Sequence, residues 1–238
     1  MAEHWYSRTE ALLGPAGVER LRRARVIVVG IGGVGGYTAE MLVRSGVGHI
    51  TIVDADCVAP SNINRQPVAR HSTIGKSKVL LAAEEFRDIN PDCEVEALQS
   101  FLTPESVEPL LSRGFDFVAD CIDTVAPKVA LLAGCVATRT KVISSMGAGG
   151  RIDPSQVVVS RLWETREDGL ARAVRQAFKK RGTRPMIPVV YSPEAPRKSA
   201  LIEVEMQNKR TSFGTLATVP AVFGILMANH IIRTLTGQ

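Results

Sequence analysis

The residues best suited to chemistry surround a glycine-rich segment. Gly30, Gly32 and Gly35 fit the pattern G-x-G-x-x-G between an apolar run (25–29) and a helical pattern. Glycines let the backbone approach a phosphate, and the N-terminus of the following helix supplies N–H donors and a positive dipole end. Asp54 ends the next apolar run, where an acid binds ribose hydroxyls. These residues predict a nucleotide site that fits NAD and ATP about equally well.

The loop that follows Asp54 favours ATP. It carries Asn62, Asn64, Arg65 and Gln66, and Lys78 lies at the start of the next predicted helix. Arg65 and Lys78 could neutralise the β- and γ-phosphates of ATP and the pyrophosphate that leaves. A hydride-transfer site has no need of such a dense group of cations and amides beside its ribose acid.

Two carboxylates follow the fourth predicted strand. Asp120 and Asp123 are expected at the same crevice as the glycine segment, because the carboxyl ends of parallel strands meet at one edge of a sheet. A carboxylate in that position can hold Mg²⁺ against phosphates. Asp123 is the predicted metal ligand. For Asp120 two roles stay open, one in the site and one as a structural group that caps the turn.

The elements that must position these residues alternate between strand and helix up to residue 145. This alternation predicts an α/β, Rossmann-like, doubly wound fold with a mainly parallel sheet, helices on both faces and a C-terminal elaboration. After 147–150 the rhythm changes to a strand, a helix, a strand and an apolar C-terminal helix. We predict a single domain over 1–238, with a nucleotide-binding core at about 22–150 and an elaboration at about 151–238.

Composition is ordinary for a water-soluble chain of 238 residues, with a net charge of +5 that permits an anionic partner. The four cysteines form no C-x-x-C pair, so neither a zinc ribbon nor a thioredoxin-type motif is expected. The N-terminal residues lack the apolar core of a signal peptide. The most apolar stretch, 216–228, looks too short to span a bilayer and is interpreted as a buried helix. We therefore expect a cytoplasmic protein that does not contact membranes.

At these motifs the chain resembles the ubiquitin-activating-enzyme-like adenylyltransferases of the ThiF/MoeB superfamily. The resemblance rests on G-x-G-G-x-G (30–35), D-A-D (54–56), S-N-I-N-R-Q (61–66), Lys78 and D-C-I-D (120–123). Members bind ATP and Mg²⁺ and adenylate a carboxylate. The nucleotide-binding residues that the resemblance implies are Gly30, Gly32, Gly33, Gly35, Asp54, Asp56, Ser61, Asn62, Arg65, Gln66, Lys78, Asp123 and Thr124.

Within that set the resemblance assigns roles. Gly33 would lie against the nucleotide, Asp54 would hold the ribose and Asp123 would bind Mg²⁺. Thr124 departs from the family pattern, since many members have asparagine there. The implied catalytic residues are Arg65, Lys78, Asp123 and Arg8.

Arg8 also bears on oligomeric state. In this superfamily an arginine near the N-terminus often reaches the ATP of the neighbouring subunit, and Arg8 matches it, so the resemblance implies a homodimer. A structural monovalent cation and a sulfur-relay or cysteine desulfurase partner stay open as further alternatives.

The second half resembles a narrower group, the tRNA threonylcarbamoyladenosine dehydratases, over 144–182, 188–196 and 214–235. This resemblance implies a substrate, the threonylcarbamoyl group on the adenosine beside the tRNA anticodon, which carries a free carboxylate. It implies that ATP adenylates this carboxylate and that a ring then closes within the modified base, a net dehydration. Intramolecular attack needs no covalent enzyme intermediate.

A basic helix supports an RNA partner. At 100° per residue, Arg172, Arg175 and Lys179 lie within about 60° of one another, with apolar residues opposite. Such a face suits RNA phosphates, although a solvated helix face is the simpler interpretation of it in isolation. The predicted RNA-contacting residues are Arg172, Arg175, Lys179, Lys180, Arg181 and Arg184.

Three alternatives remain from the sequence. The first is an activator of a ubiquitin-like sulfur carrier, which is disfavoured because the zinc cysteines are missing and no cysteine follows Cys135. The second is an NAD-dependent oxidoreductase, which would leave Arg65, Lys78 and Asp123 without a role. The third is an RNA- or partner-binding scaffold on an inactive nucleotide fold.

Overall fold

Seven strands form a central sheet. The computed structural model describes residues 4–206 and 209–238, and for 204–206 and 209–212 it describes the backbone alone. The strands are β1 (Arg25–Val29), β2 (His49–Val53), β3 (Glu94–Leu98), β4 (Phe117–Asp120), β5 (Lys141–Ser145), β6 (Val158–Arg161) and β7 (Pro188–Tyr191). Their order is β3-β2-β1-β4-β5-β7-β6, and β6 runs antiparallel at one edge.

Seven helices pack on the two faces of this sheet. They are α1 (Ser7–Arg23), α2 (Gly35–Arg44), α3 (Lys78–Ile89), α4 (Pro104–Leu111), α5 (Val125–Thr138), α6 (Gly169–Lys180) and α7 (Thr218–Thr236). One core contains buried residues of α1, α2, α3 and α7, and the other contains those of α4, α5 and α6. Successive side chains of a strand point to opposite faces of the sheet, so one strand can contribute to both cores. Val26 and Val28 of β1 face the first core, and Ile27 and Val29 face the second. The predicted doubly wound fold is confirmed.

The strand order places a ligand crevice at one point. From β1 the chain adds β2 and β3 on one side of the sheet and then returns to add β4 and β5 on the other side. Open α/β sheets bind ligands at such a switch point, outside the carboxyl ends of the strands. In the register, Val29 lies opposite both Val53 and Asp120, so β1, β2 and β4 end at the same level.

Two elements were not expected from the sequence. Helix α1 is interrupted at Gly14, which has a φ of 71° and precedes Pro15, so its apolar pattern is broken. The antiparallel pair of strands β8 (Leu201–Met206) and β9 (Lys209–Phe213) lies outside the central sheet. Because neither element follows the β-α rhythm of the core, the repeat pattern did not indicate them.

The C-terminal helix is longer than predicted. Helix α7 has 19 residues, and by length and composition it could cross a bilayer. However, Phe223, Met227 and Ile231 are fully buried in the first core. Gly224 brings α7 against the start of α2, because a Cβ there would lie 2.5 Å from the carbonyl oxygen of Val34. The helix therefore has the packing of a core element, as expected, and only its predicted length was wrong.

Candidate nucleotide-binding active site

The glycine segment connects β1 to α2 in a turn that larger residues could not form. Gly30 has a φ of 92°, and a Cβ there would lie 2.9 Å from the carbonyl oxygen of Cys121. A Cβ at Gly35 would lie 1.7 Å from the carbonyl oxygen of Gly30. No side chain caps the start of α2, which leaves this helix end suited to an anion.

Asp54 holds the glycine segment in place. Its carboxylate accepts hydrogen bonds from the Ile31 N–H at 2.7 Å and from the Asp56 N–H at 2.8 Å. Burial raises the pKa of Asp54 above its ordinary value, and the nearby Lys78 ammonium partly offsets that shift. Asp54 thus joins the end of β2 to the turn after β1. Its predicted contact with a ribose stays a prediction.

Lys78 is not a solvated surface lysine. Its side chain is only 5% exposed, and its Nζ lies 2.8 Å from Oδ2 of Asp56, which is 63% exposed. Because Lys78 is the first residue of α3, the backbone of that helix fixes its position. The structure therefore places a buried positive charge beside the D-A-D segment, where a phosphate would find a strong partner.

The loop after β2 brings Arg65 against the glycine turn. A Cβ added to Gly33 would lie 3.3 Å from Cγ of Arg65, so the arginine stem lines this part of the crevice. The Nη1 of Arg65 donates to the carbonyl oxygen of Ser61 at 2.7 Å and to Oδ1 of Asn64 at 2.9 Å. These bonds orient the guanidinium before any ligand arrives.

The amides of this loop have different roles. The side-chain oxygen of Asn62 accepts the Ala59 N–H at 3.0 Å, which fixes the turn, and Asn64 donates to the carbonyl oxygen of Thr215 at 2.8 Å. Gln66 is buried beside Gly32, and its Oε1 has no hydrogen-bond partner among the described residues. A buried oxygen without a donor is costly, so Gln66 fits a site that a ligand completes.

The two aspartates after β4 have separate roles. Asp120 is fully buried: its Oδ2 accepts from Lys128 Nζ and from Ser144 Oγ, both at 2.6 Å, and its Oδ1 accepts the Ile122 N–H. Lys128 also donates to the carbonyl oxygen of Ser145 at 2.9 Å. Of the two roles open for Asp120, the structure supports the structural one.

Lys128 was missed in the sequence. It is fully buried and links the ends of β4 and β5 to the first turn of α5. The available signal was a single lysine in an otherwise apolar helix pattern, V-A-P-K-V-A-L-L-A, which is unusual unless the charge is paired.

Asp123 and Thr124 lie where the loop leaves β4 for α5. Asp123 is exposed, and Thr124 occupies the position before the first residue of α5. Among the described residues no cluster of three or more His, Cys, Asp or Glu could hold a metal by itself. Mg²⁺ commonly binds through one or two carboxylates together with substrate phosphates, so the single Asp123 carboxylate fits a metal that arrives with ATP.

A second buried ion pair holds the loop that follows β5. Arg151 and Asp168 are both buried, with Nη2 3.3 Å from Oδ2. Asp168 also accepts the Gly147 N–H at 3.0 Å and caps α6 by accepting the Ala171 N–H at 2.8 Å. The glycine-rich loop 147–150 is thereby tied to the start of α6. The sequence offered no specific signal for this pair.

The basic face of α6 is only partly available. Arg172, Lys179, Lys180 and Arg181 are exposed. Arg175 is half-buried, and its Nη1 donates to Oγ1 and the carbonyl oxygen of Thr165 and to the carbonyl oxygen of Leu162. Its guanidinium is therefore bound within the fold, which argues against the predicted RNA contact of Arg175.

A cavity of about 670 Å³ lies away from this crevice, beside the amino ends of β1 to β3. Its lining includes Glu94 and Glu96, whose carboxylates pair with His49 at 3.0 Å and with Arg113, respectively. Because these charges are already paired within the protein, the cavity does not compete with the switch point as the candidate site.

Thiol chemistry is restricted to one position. Burial raises the pKa of Cys93 to about 11 and the pKa of both Cys121 and Cys135 to about 12, whereas Cys57 is exposed. We expect one thiol of the folded protein to react rapidly with Ellman's reagent at pH 8, and all four to react in guanidinium chloride. The Cys57→Ser variant should lose the rapid phase, and a second rapid thiol in that variant would contradict the burial argument.

The geometry of this crevice indicates the class of protein. A glycine turn, a buried lysine, an oriented arginine and an exposed carboxylate meet at the switch point of a parallel sheet, an arrangement suited to a nucleoside triphosphate. The ThiF family model matches residues 6–238. The protein belongs to the ThiF family.

A protein relative and a solved structure resemble this chain over nearly its whole length. The chain is 37% identical over 240 residues to the tRNA threonylcarbamoyladenosine dehydratase of Bacillus subtilis, covering 98% of this chain and 94% of that protein. It is similar to the crystal structure of the Escherichia coli tRNA N6-threonylcarbamoyladenosine dehydratase in complex with ATP, with a TM-score of 0.90 and 34% identity over 98% of this chain and 94% of that chain. The predicted resemblance is confirmed.

A more distant relative represents the main alternative. The molybdopterin-synthase adenylyltransferase of Escherichia coli is 35% identical over 137 residues, which cover 58% of this chain and 54% of that protein. The match to the dehydratases thus extends over nearly the whole chain, whereas the match to this adenylyltransferase covers little more than half of it.

Proposed function

We propose that the protein is an ATP-dependent tRNA-modifying enzyme that dehydrates threonylcarbamoyladenosine to a cyclic product. The observation that carries this proposal is the full-length similarity to dehydratases, one of them solved with ATP. It is supported by three charges on segments that follow β2 and β4, Arg65, Lys78 and Asp123, which a hydride-transfer site would not need.

The proposed reaction has two steps. In the first, the threonyl carboxylate attacks the α-phosphorus of ATP, and the bond to pyrophosphate breaks. Arg65 and Lys78 stabilise the negative charge that moves onto the leaving group. The carbamoyl group of the same base, which gives up a proton, then attacks the acyl carbon of the adenylate. A ring closes, the bond from that carbon to the AMP oxygen breaks, and AMP leaves with one oxygen of the original carboxylate. The second step is intramolecular, so it requires orientation and no enzyme nucleophile.

Asp123 is the residue proposed to hold Mg²⁺. The ion would supply charge neutralisation at the phosphates when it is bound. Asp120 is excluded from this role because Lys128, Ser144 and a backbone N–H already occupy its oxygens.

We further propose a cytoplasmic homodimer in which Arg8, exposed near the start of α1, reaches the ATP of the partner subunit. A mixed-dimer experiment tests this arrangement: the Arg8→Ala and Lys78→Ala variants, each inactive, should regain part of the activity when mixed. Nothing in the described residues argues for the monovalent cation or the sulfur-relay partner, and we leave both out of the proposal.

The tRNA surface is proposed to include the exposed cations of α6. We expect Arg172→Glu combined with Lys179→Glu and Lys180→Glu to weaken tRNA binding and to lower the slope of log affinity against log salt by about three, or about one for each phosphate that the variant no longer binds. ATP affinity, measured by calorimetry, should not change. The control combines Arg20→Glu, Arg22→Glu and Lys141→Glu, which alters net charge equally on other exposed positions. Equal loss of ATP binding would show that the helix has a structural role.

The nucleotide itself is tested at Gly33. A Cβ there would press on Arg65 and lie 3.4 Å from Pro220 Cβ, so we expect Gly33→Ala to weaken ATP binding about tenfold with little change in Tm. Gly169→Ala is the control, because nothing lies within 4 Å of a Cβ added there. Unchanged ATP affinity of Gly33→Ala would mean that the phosphates do not bind at this turn.

The decisive experiment is nucleoside mass spectrometry. The protein is incubated with ATP, Mg²⁺ and tRNA carrying threonylcarbamoyladenosine, and loss of one water from that nucleoside is expected. Omission of ATP is the control. Pyrophosphate release that depends on a small protein ending in Gly-Gly, with the nucleoside unchanged, would favour the sulfur-carrier alternative.

A further inference from the structure

We propose that Trp163 and Arg184 form a stacking platform for an unpaired RNA base, at the far end of α6 from the adenylation site. This inference rests on the proposed function, since it requires an RNA substrate. It adds a base-binding position to a surface for which the sequence predicted only phosphate contacts.

The platform is a cation–π pair between two distant segments. The Cζ of Arg184 lies 4.7 Å from the centroid of the Trp163 ring, so the guanidinium covers one face of the indole. Arg184 is exposed and Trp163 is partly buried. A planar guanidinium that stacks on an indole leaves its second face to solvent. Bases of single-stranded RNA stack on such faces.

The indole of the platform is held before any ligand binds. The indole N–H of Trp163 donates to the carbonyl oxygen of Pro185 at 2.9 Å, which fixes the plane of the ring. The neighbouring Leu162 is fully buried, and its N–H donates to the carbonyl oxygen of Ile187 at 3.0 Å. Because these bonds fix the ring and join the two segments, the indole has little conformational freedom to lose when a base binds.

Charge along α6 connects the platform to the active site. Asp168 ties the start of this helix to Gly147, in the loop after β5. The 12 residues of α6 extend about 18 Å from that point. The exposed cations Arg172, Lys179, Lys180 and Arg181 lie along that path. An RNA whose reacting nucleotide lies at the carboxyl edge of the sheet could pass its backbone along these cations.

This arrangement favours a loop over a duplex as the ligand. The bases of a duplex are stacked on each other, whereas those of an anticodon loop can turn outward onto a protein surface. Phe178, the only aromatic residue within the basic helix, is buried and cannot serve this purpose. The tertiary structure supplies Trp163 in its place.

The test separates stacking from charge. The Arg184→Lys variant keeps the positive charge but loses the planar group, and Arg181→Lys is the matched control at a neighbouring exposed position. Affinity is measured by fluorescence anisotropy over a series of KCl concentrations. The two probes are an anticodon stem-loop that carries threonylcarbamoyladenosine and an RNA duplex of the same stem sequence.

We expect Arg184→Lys to bind the stem-loop about tenfold more weakly, with duplex affinity and salt slope unchanged. Lys179→Ala should weaken both probes and lower the slope by about one. Wild-type affinity of Arg184→Lys for the stem-loop, or equal loss for both probes, would overturn the platform. If the wild-type protein still dehydrates its tRNA in that case, only the platform fails. If it neither binds nor modifies tRNA, the proposed function fails as well.

Discussion

The Lys78→Ala variant is expected to lose tRNA-stimulated pyrophosphate release by about 10²–10³-fold, the effect of removing one preorganised donor to transition-state charge. Lys78 is only 5% exposed, and its Nζ lies 2.8 Å from Oδ2 of Asp56, so its charge is held in a fixed position before a ligand binds. The fold should survive, because the Asp56 carboxylate that loses its partner is mostly exposed and remains hydrated.

The measurement is steady-state pyrophosphate release with saturating tRNA, with ATP affinity determined separately. If Lys78 acts on the leaving group in the transition state, kcat should fall more than ATP affinity. Lys76→Ala is the control, since Lys76 is exposed two residues earlier in the same segment. Near-normal release by Lys78→Ala would remove this residue from the catalytic assignment.

The Lys128→Met variant is expected to lose about 3–5 kcal/mol in the free energy of unfolding, because it leaves a buried carboxylate without its cation. Lys128 and Asp120 are both fully buried, with Nζ 2.6 Å from Oδ2. Removing the charge on both sides, in the Lys128→Met/Asp120→Asn double variant, should recover much of the loss. Lys141→Met, at the exposed start of β5, is the control and should be close to wild type.

Denaturant unfolding of the single and double variants checks the cause. If the unpaired carboxylate causes the loss, Lys128→Met/Asp120→Asn should be clearly more stable than Lys128→Met alone. Equal stability of the two variants would mean that poorer packing, and not the unpaired charge, causes the destabilisation.

The Lys128–Asp120 ion pair also affects the proposed metal site, because it fixes the position of a neighbouring segment. Oδ1 of Asp120 accepts the Ile122 N–H at 3.1 Å and so shapes the segment that presents Asp123. A network that joins the ends of β4 and β5 to α5 thus positions the proposed metal ligand.

Much of the site could be predicted from the sequence, because its strongest signals are local. The glycine motif reflects backbone conformation and close approach within a few residues, as the Cβ distances at Gly30 and Gly35 confirm. Strand periodicity placed Asp54 and Asp120 at strand ends, and parallel topology then brought those ends to one edge.

What the sequence could not determine are pairings between side chains from distant segments. Whether a charged residue is free for a ligand depends on which group lies opposite it, and that is set by packing. The sequence left two roles open for Asp120, and only the structure shows that it is buried and paired with Lys128, whereas Asp123 is exposed. Arg175 and Lys179 share a helix face, yet Arg175 is half-buried and donates to carbonyl groups, whereas Lys179 is exposed.

The sequence by itself therefore determined the fold, the family and the position of the candidate nucleotide crevice, since turn geometry and strand periodicity depend on residues that are close together in the chain. The tertiary structure decided which charges are committed to the fold and which face solvent. It also brought Trp163 beneath Arg184. The physical reason is that the cost of burying a charge, and the partner that offsets this cost, arise only when distant segments pack together.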